Sequence, residues 1–108
     1  MKNMSDVSPM KLKDVLLAVK QANLTKTQLE DYHAALTHML SDLKIEEADL
    51  KRKRALFLVE KREGMTATDV KNLWGATEDG QRLLLLEGYR GAIRAELDSV
   101  KTRIYALL

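Results

Sequence analysis

The sequence predicts an all-α protein, in which a long antiparallel helical hairpin (a coiled coil) carries a short N-terminal helix and a short connector helix. An apolar residue recurs every seven positions along the middle of the chain, which is the spacing of a coiled-coil seam. The members of this heptad column are Leu29, Leu36, Leu43, Leu50 and Phe57. No Gly or Pro interrupts the chain between residues 10 and 63. Aromatic residues make up only 5% of the chain, with five Gly and one Pro, which is fewer than a β-rich fold normally needs.

The first helix is predicted to begin at Ser8 and Pro9 and to run to about Asn23, after a frayed N-terminus over residues 1–7. Ser can cap a helix, and Pro fits the first helical position, where no backbone N–H is needed. Apolar residues then follow at helical spacing. They are Leu12, Val15, Leu16 and Val19.

The long second helix is predicted to begin at a capping box and to end at Gly64. Two capping boxes are possible, Thr25 with Gln28 or Thr27 with Glu30. The heptad column lies along this helix, so we expect its apolar side to face the other long helix.

A short connector helix is predicted to begin at Thr66-x-x-Asp69 and to end near Gly75. The four leucines at 83–86 point to every side of the next helix, so they need a cover. We expect the apolar connector residues to provide it against residues 56–59, with Trp74 buried there; the alternative is an exposed Trp74 that anchors a partner. The connector residues are Val70, Leu73 and Trp74.

The final helix is predicted to begin after Thr77, with Glu78 and Asp79 in its first turn, where acidic residues suit the helix dipole. Its seam consists of Leu86, Ile93, Leu97, Val100, Ile104 and Leu107. Two long helices with a compact connector between them should fold back as a hairpin. A two-helix shaft buries little apolar surface, so we expect a homo-oligomer.

Composition limits the possible functions. The 108 residues suffice for one domain, so we predict a single helical domain over residues 1–108. The absence of Cys excludes disulfides and Cys-based zinc sites, and a net charge of +2 is too small to indicate nucleic-acid binding by itself. No apolar run could span a membrane and no signal peptide is visible, so we expect no membrane association and a cytoplasmic location. No catalytic or phosphate-binding motif is present, so we expect no enzymatic activity and no cofactor.

The candidate binding site is a basic run in the middle of the second helix. Its residues are Lys51, Arg52, Lys53 and Arg54. Glu47 and Asp49 precede the first and third of these by four residues, so one interpretation is a solvated helix with ion pairs along its surface. The other interpretation adds Arg90 and Arg94, expected at the same level of the opposite helix, and predicts a basic girdle that binds phosphates.

Gly88 and Gly91 lie inside the final helix, where each Gly costs up to about 1 kcal/mol relative to Ala. Three explanations are open: close packing of another helix, a kink, or room for a ligand or partner chain. Arg90 falls on the seam between them, and we expect Glu46 or Glu47 across the hairpin to neutralise it.

Histidine provides only a partial metal motif. Glu30-x-x-His33 matches half of a di-iron ligand set, but the other histidine, His38, has no Glu three residues before it. We therefore predict no metal site.

Two patterns resemble a known family. They are the basic run followed by Ala55 and Leu56, and the closing pattern Leu97-Asp98-x-Val100-Lys101-x-Arg103. Over residues 44–104 the chain resembles small helical bacteriophage proteins, in particular the phage recombination mediator (UvsY) family. This resemblance implies an oligomeric accessory protein that binds single-stranded DNA and helps to load a recombinase. The basic positions that match are Lys51, Lys53, Arg54, Lys101 and Arg103.

Three functions therefore stay open. The first is binding of single-stranded nucleic acid through the basic girdle. The second is a protein–protein module, such as a phage inhibitor of a host complex (anti-CRISPR type), an assembly chaperone or an adaptor, which pre-formed helices and balanced charge favour. The third is a coiled-coil oligomerisation unit.

Overall fold

A computed structural model describes residues 9–108, with side chains from Leu12 onward. Within this range the chain forms four helices and no strand. They are α1 (Pro9–Val19), α2 (Lys26–Lys61), α3 (Ala67–Gly75) and α4 (Glu78–Ala106). The long α2 packs against α4, which confirms the predicted all-α helical hairpin with its short first helix and connector helix. The predicted frayed segment 1–7 and the Ser8 cap lie outside the described residues.

Helix α1 ends at Val19, earlier than the predicted Asn23. Its last turn tightens, because the amides of Lys20 and Gln21 bond to carbonyls three residues back rather than four. The guanidinium of Arg103 on α4 then donates to the carbonyls of Val19 and Gln21, the latter at 2.6 Å. These are carbonyls that a further helical turn would have used, so a contact distant in sequence replaces the continuation of α1.

Side-chain caps set the starts of the other helices, as the sequence predicts. The Thr25 amide donates to Gln28 Oε1 at 2.8 Å and the Gln28 amide donates to Thr25 Oγ1 at 3.1 Å, so the first of the two possible capping boxes forms at α2. Thr66 Oγ1 accepts from the Asp69 amide at 3.1 Å at the start of α3, and Thr77 Oγ1 caps α4.

Two glycines shape the turns around α3. Gly64, at φ +77°, occupies the left-handed region in the turn after α2. Gly80 lies so close to the end of α3 that a Cβ there would be 2.0 Å from the Trp74 carbonyl oxygen. Only Gly therefore fits the corner between α3 and α4.

The chain divides into two compact units. Among the described residues, unit 1 contains residues 9–43 together with residues 90–108, and unit 2 contains residues 44–89. The core residues of unit 1 include Leu12, Val19, Leu29, Leu36, Met39, Leu43, Ile93 and Val100. Those of unit 2 are Leu50, Val70, Trp74, Leu83 and Leu86. The single domain over residues 1–108 stays a prediction.

The heptad column of α2 is buried along most of its length. Leu29, Leu36, Leu43 and Leu50 are at most 4% exposed, and Phe57 is half-buried. In unit 2 the Phe57 ring packs on Trp74 with ring centroids 5.5 Å apart. Trp74 is buried, which confirms the structural role predicted for it.

A bidentate ion pair joins α2 to α4 within unit 2. Arg82 Nε and Nη2 donate to the Glu46 carboxylate at 2.7 and 3.0 Å. The hydrogen bonds from Arg82 lower the pKa of Glu46 below its usual range. The sequence suggested Glu46 or Glu47 as the partner of Arg90. The Glu46 carboxylate binds Arg82, and the pairing of Arg90 with Glu47 stays a prediction.

We expect Glu46→Gln to lower the free energy of unfolding at pH 7 by about 0.5–1 kcal/mol, since the pair is partly exposed to solvent. Because the folded pKa lies below the unfolded one, this contribution is complete above about pH 4.3 and is lost as the pH falls through the folded value. Urea unfolding at pH 7 and at acidic pH measures the difference.

The matched control is Glu60→Gln on the same helix, whose carboxylate makes no ion pair with the described residues. A Glu46→Gln effect that stayed constant from neutral to acidic pH would contradict the assignment.

Candidate functional site

The basic run is paired with acidic residues of its own helix. Lys51 Nζ lies 3.8 Å from Glu47, while Arg52 and Lys53 lie 2.6 and 3.5 Å from Asp49. These contacts join residues three or four positions apart, the spacing at which side chains of a helix meet. The first interpretation of the run, a helix with ion pairs along its surface, therefore describes three of its four residues.

These ion pairs do not remove the run from solvent. The side chains of Lys51, Arg52 and Lys53 are 44%, 75% and 51% exposed. Arg54 is half-buried and makes no ion pair with any residue in the described range. Exposed ion pairs contribute little free energy, so a phosphate could compete for these cations.

The other predicted site residues belong to unit 1. Arg94 is exposed, and Arg90 is half-buried and has a partner within the protein. The basic run belongs to unit 2. The girdle that combines all six residues stays a prediction.

A second candidate surface is an apolar face of α4 within unit 2, which we call the α4 apolar face. Its residues are Leu84, Leu85, Gly88 and Tyr89, bordered by Gln81 and Arg82. Leu84 is 66% exposed and Leu85 is 41% exposed. The predicted cover over all four leucines was therefore wrong for these two. Leu83 and Leu86 are buried because they lie three residues apart on one side of α4, whereas Leu84 and Leu85 point away from that side.

A third candidate surface lies between the end of α2 and the start of α3, and we call it the α2–α3 groove. It is lined by Leu58, Val59, Arg62, Met65, Ala67, Val70 and Lys71. We expected the connector residue Leu73 to help cover the four leucines by packing on residues 56–59. Instead, Leu73 is 41% exposed, Leu56 is 59% exposed and Val59 is 74% exposed. Of the three apolar connector residues, Val70 and Trp74 are buried.

The two glycines in the interior of α4, Gly88 and Gly91, face open space. A Cβ built at Gly88 or Gly91 meets no atom of the described residues within 4 Å. Close packing of another helix of this chain was therefore the wrong explanation for them. The other two explanations, a kink and room for a ligand or partner chain, stay predictions, and Gly88 lies in the α4 apolar face.

The partial metal motif lies at the surface of unit 1. Glu30 and His33 line a groove with Ala34 of α2 and with α4 residues that include Lys101 and Tyr105. Within residues 12–108, no group of three or more ligating side chains could hold a metal ion. None of the described helices is both long and apolar enough to cross a membrane.

Sequence reasoning missed three cations: one that makes an ion pair between helices and two that border a groove. Arg82 binds Glu46 across the hairpin, and Arg62 and Lys71 border the α2–α3 groove. A signal for Arg82 was present, since two long helices of mixed charge in antiparallel contact need cross-helix ion pairs. Nothing in the spacing of Arg62 and Lys71 indicates that they share a groove, because the turn between α2 and α3 decides it.

Comparison with protein-family models, with curated proteins and with solved structures found no match. The resemblance to phage recombination mediators stays a prediction.

We expect Gly88→Ala and Gly91→Ala each to raise the free energy of unfolding by about 0.5–1 kcal/mol, because Ala favours a helix interior and its methyl group meets open space. Urea unfolding at low protein concentration measures this.

Gly80→Ala serves as the contrast and should destabilise the fold, because its Cβ would overlap the Trp74 carbonyl. A loss of stability in the first two variants would contradict the open surface described for α4.

Proposed function

We propose that this protein is a non-enzymatic, self-associating helical interaction protein that binds other protein chains, including copies of itself. The observation that supports the proposal is the α4 apolar face, which presents Leu84 and Leu85 to solvent beside the open surface of Gly88. Monomeric soluble proteins rarely leave large contiguous apolar patches uncovered, and such patches commonly mark interfaces.

Exposed apolar side chains concentrate in unit 2. Among the described residues, seven of the eleven exposed large apolar side chains belong to this unit. They are Ile45, Leu56, Val59, Met65, Leu73, Leu84 and Leu85. Unit 2 comprises less than half of the chain, so this distribution favours it as the part that carries the interfaces.

The charge distribution favours a protein partner over a nucleic acid. Three of the four cations of the basic run have an acidic partner on α2, and the whole chain carries a net charge of only +2. A balanced surface with exposed apolar patches suits helix-mediated protein recognition, and an adaptor or assembly role is consistent with it.

Sedimentation velocity over a concentration series tests the proposal. We expect the wild-type protein to form dimers or larger species at micromolar concentration and Leu84→Gln to shift the equilibrium at least about tenfold toward the monomer, because it removes apolar area from the interface. Circular dichroism checks that the helices are retained.

The matched control is Ser99→Gln, which places the same side chain at an exposed polar position of α4. A strictly monomeric wild-type protein, or a Leu84→Gln variant that associates like the control, would refute the proposed role of the α4 apolar face.

A second candidate function is binding of single-stranded DNA, as the resemblance to phage recombination mediators suggests. The observations that favour it are the solvent exposure of Lys51, Arg52 and Lys53 and the exposed Arg94, which makes no ion pair within the described range. With about four phosphates contacted, affinity for a single strand should fall roughly 50-fold between 50 and 200 mM salt.

Fluorescence anisotropy of a labelled oligothymidine measures this salt dependence. If the second function holds, replacing Lys51, Arg52, Lys53 and Arg54 together by Gln abolishes binding, whereas Lys61→Gln leaves it unchanged. The absence of binding at low salt, or binding that ignores both salt and the fourfold variant, would eliminate this candidate.

A further inference from the structure

The α2–α3 groove of unit 2 combines an apolar floor with two cations at its border. The floor consists of Leu58, Val59, Met65, Ala67 and Val70. Arg62 stands on the α2 side and Lys71 on the α3 side. The groove therefore combines an apolar surface with two positively charged side chains.

The floor is open to solvent, although its deepest member is part of the core. Val59 is 74% exposed and Met65 is 42% exposed, while Val70 is only 2% exposed. A neighbour placed on this surface would cover Val59 and Met65 and contact the edge of the core at Val70. Met is flexible and polarisable, so it adapts to apolar partners of different shape.

Neither cation has an acidic partner among the side chains from Leu12 onward. Arg62 and Lys71 are exposed and make no ion pair with any residue that the structure describes. None of the described residues that line the groove is acidic, although Glu63 and Asp69 lie nearby in the chain. Lys51 and Lys53, in contrast, meet carboxylates of their own helix. The groove therefore offers an apolar floor with uncompensated positive charge at two points.

We propose that the α2–α3 groove docks an amphipathic helix of a partner protein that carries acidic residues beside its apolar face. This inference rests on the proposed function, because it names the chemistry of a partner for a protein-binding module.

The chemistry of the groove selects this occupant. An amphipathic helix buries one face in an apolar groove and leaves its other side in water. An open groove permits this arrangement. An acyl chain has no polar side to leave in water, so an open groove suits it less well. Carboxylates that flank the apolar face can pair with the Arg62 guanidinium in two-point contact and with the Lys71 ammonium. A basic helix would bring like charges together and would be disfavoured.

A designed peptide provides the probe. It has Leu at helical spacing on one face and Glu with Ala on the others, and its twin replaces every Glu by Lys. We expect the acidic peptide to bind the full-length protein at least about tenfold more tightly than the basic twin in fluorescence anisotropy, and its affinity to fall as salt rises.

Methyl NMR locates the binding site. The methyl signal of Met65 should shift on addition of the acidic peptide, while that of Met39, which is fully buried in unit 1, should not. Trp74 fluorescence gives a second signal, because Trp74 lies on α3 with Val70 and Lys71.

Matched pairs of variants separate the two kinds of contact. The double variant Arg62→Gln with Lys71→Gln should bind the acidic peptide at least about tenfold more weakly than the wild-type protein. Lys61→Gln removes a cation outside the groove and should leave this affinity unchanged. Val59→Gln should lower the affinity for the acidic peptide by a similar factor. Leu56→Gln, at an exposed apolar position outside the groove, should leave this affinity unchanged.

Equal binding of the two peptides, binding that Leu56→Gln weakens as much as Val59→Gln, or no binding at high peptide concentration would overturn the proposal. Loss of self-association in Val59→Gln would also overturn it, since the groove would then be occupied by a second copy of this chain. Self-association that depends on Leu84 while the peptide fails to bind would refute this inference and leave the proposed function standing.

Discussion

The structure depends on the burial of one apolar column along α2. Leu29, Leu36, Leu43 and Leu50 are at most 4% exposed, and α4 buries its own residues at the same spacing, Leu86, Ile93 and Val100. A long, highly charged helix gains little stability from its own backbone, so tertiary packing of the column must hold it. The seven-residue spacing keeps both columns on one side of their helices, and α2 packs against α4 along them.

The same periodicity organises the charges. Residues four apart on α2 meet on its surface, which brings Glu47 to Lys51 and Asp49 to Lys53. The most basic segment of the chain is thus compensated locally, whereas Arg62 and Lys71, which look unremarkable in the sequence, have no acidic partner in the described part of the chain. A cation's availability to a partner is therefore set by its neighbours in space rather than by the density of charge along the chain.

Unit 2 uses its apolar residues for two purposes. Its core consists of Leu50, Val70, Trp74, Leu83 and Leu86, and the Phe57 ring packs on Trp74. Other apolar side chains of this unit line two surfaces: Leu84 and Leu85 lie in the α4 apolar face, and Leu58, Val59 and Met65 lie in the α2–α3 groove. Surfaces of this kind cost solubility in an isolated molecule, and interaction with another chain is the ordinary reason for a protein to keep them.

The sequence by itself determined the helices and the starts of α2, α3 and α4. Local rules suffice for these features: the capping box at Thr25 and the Thr66 N-cap form as expected, the Leu29–Leu50 column is buried, and Trp74 is in the core. Only the tertiary structure decided where α1 ends, which carboxylate meets Arg82, and which two of four consecutive leucines stay exposed. Each of these depends on the position of one helix relative to another. The spacing of apolar residues along the chain specifies which face a helix buries. How closely and in which register two helices pack decides which of its apolar side chains stay exposed to a partner.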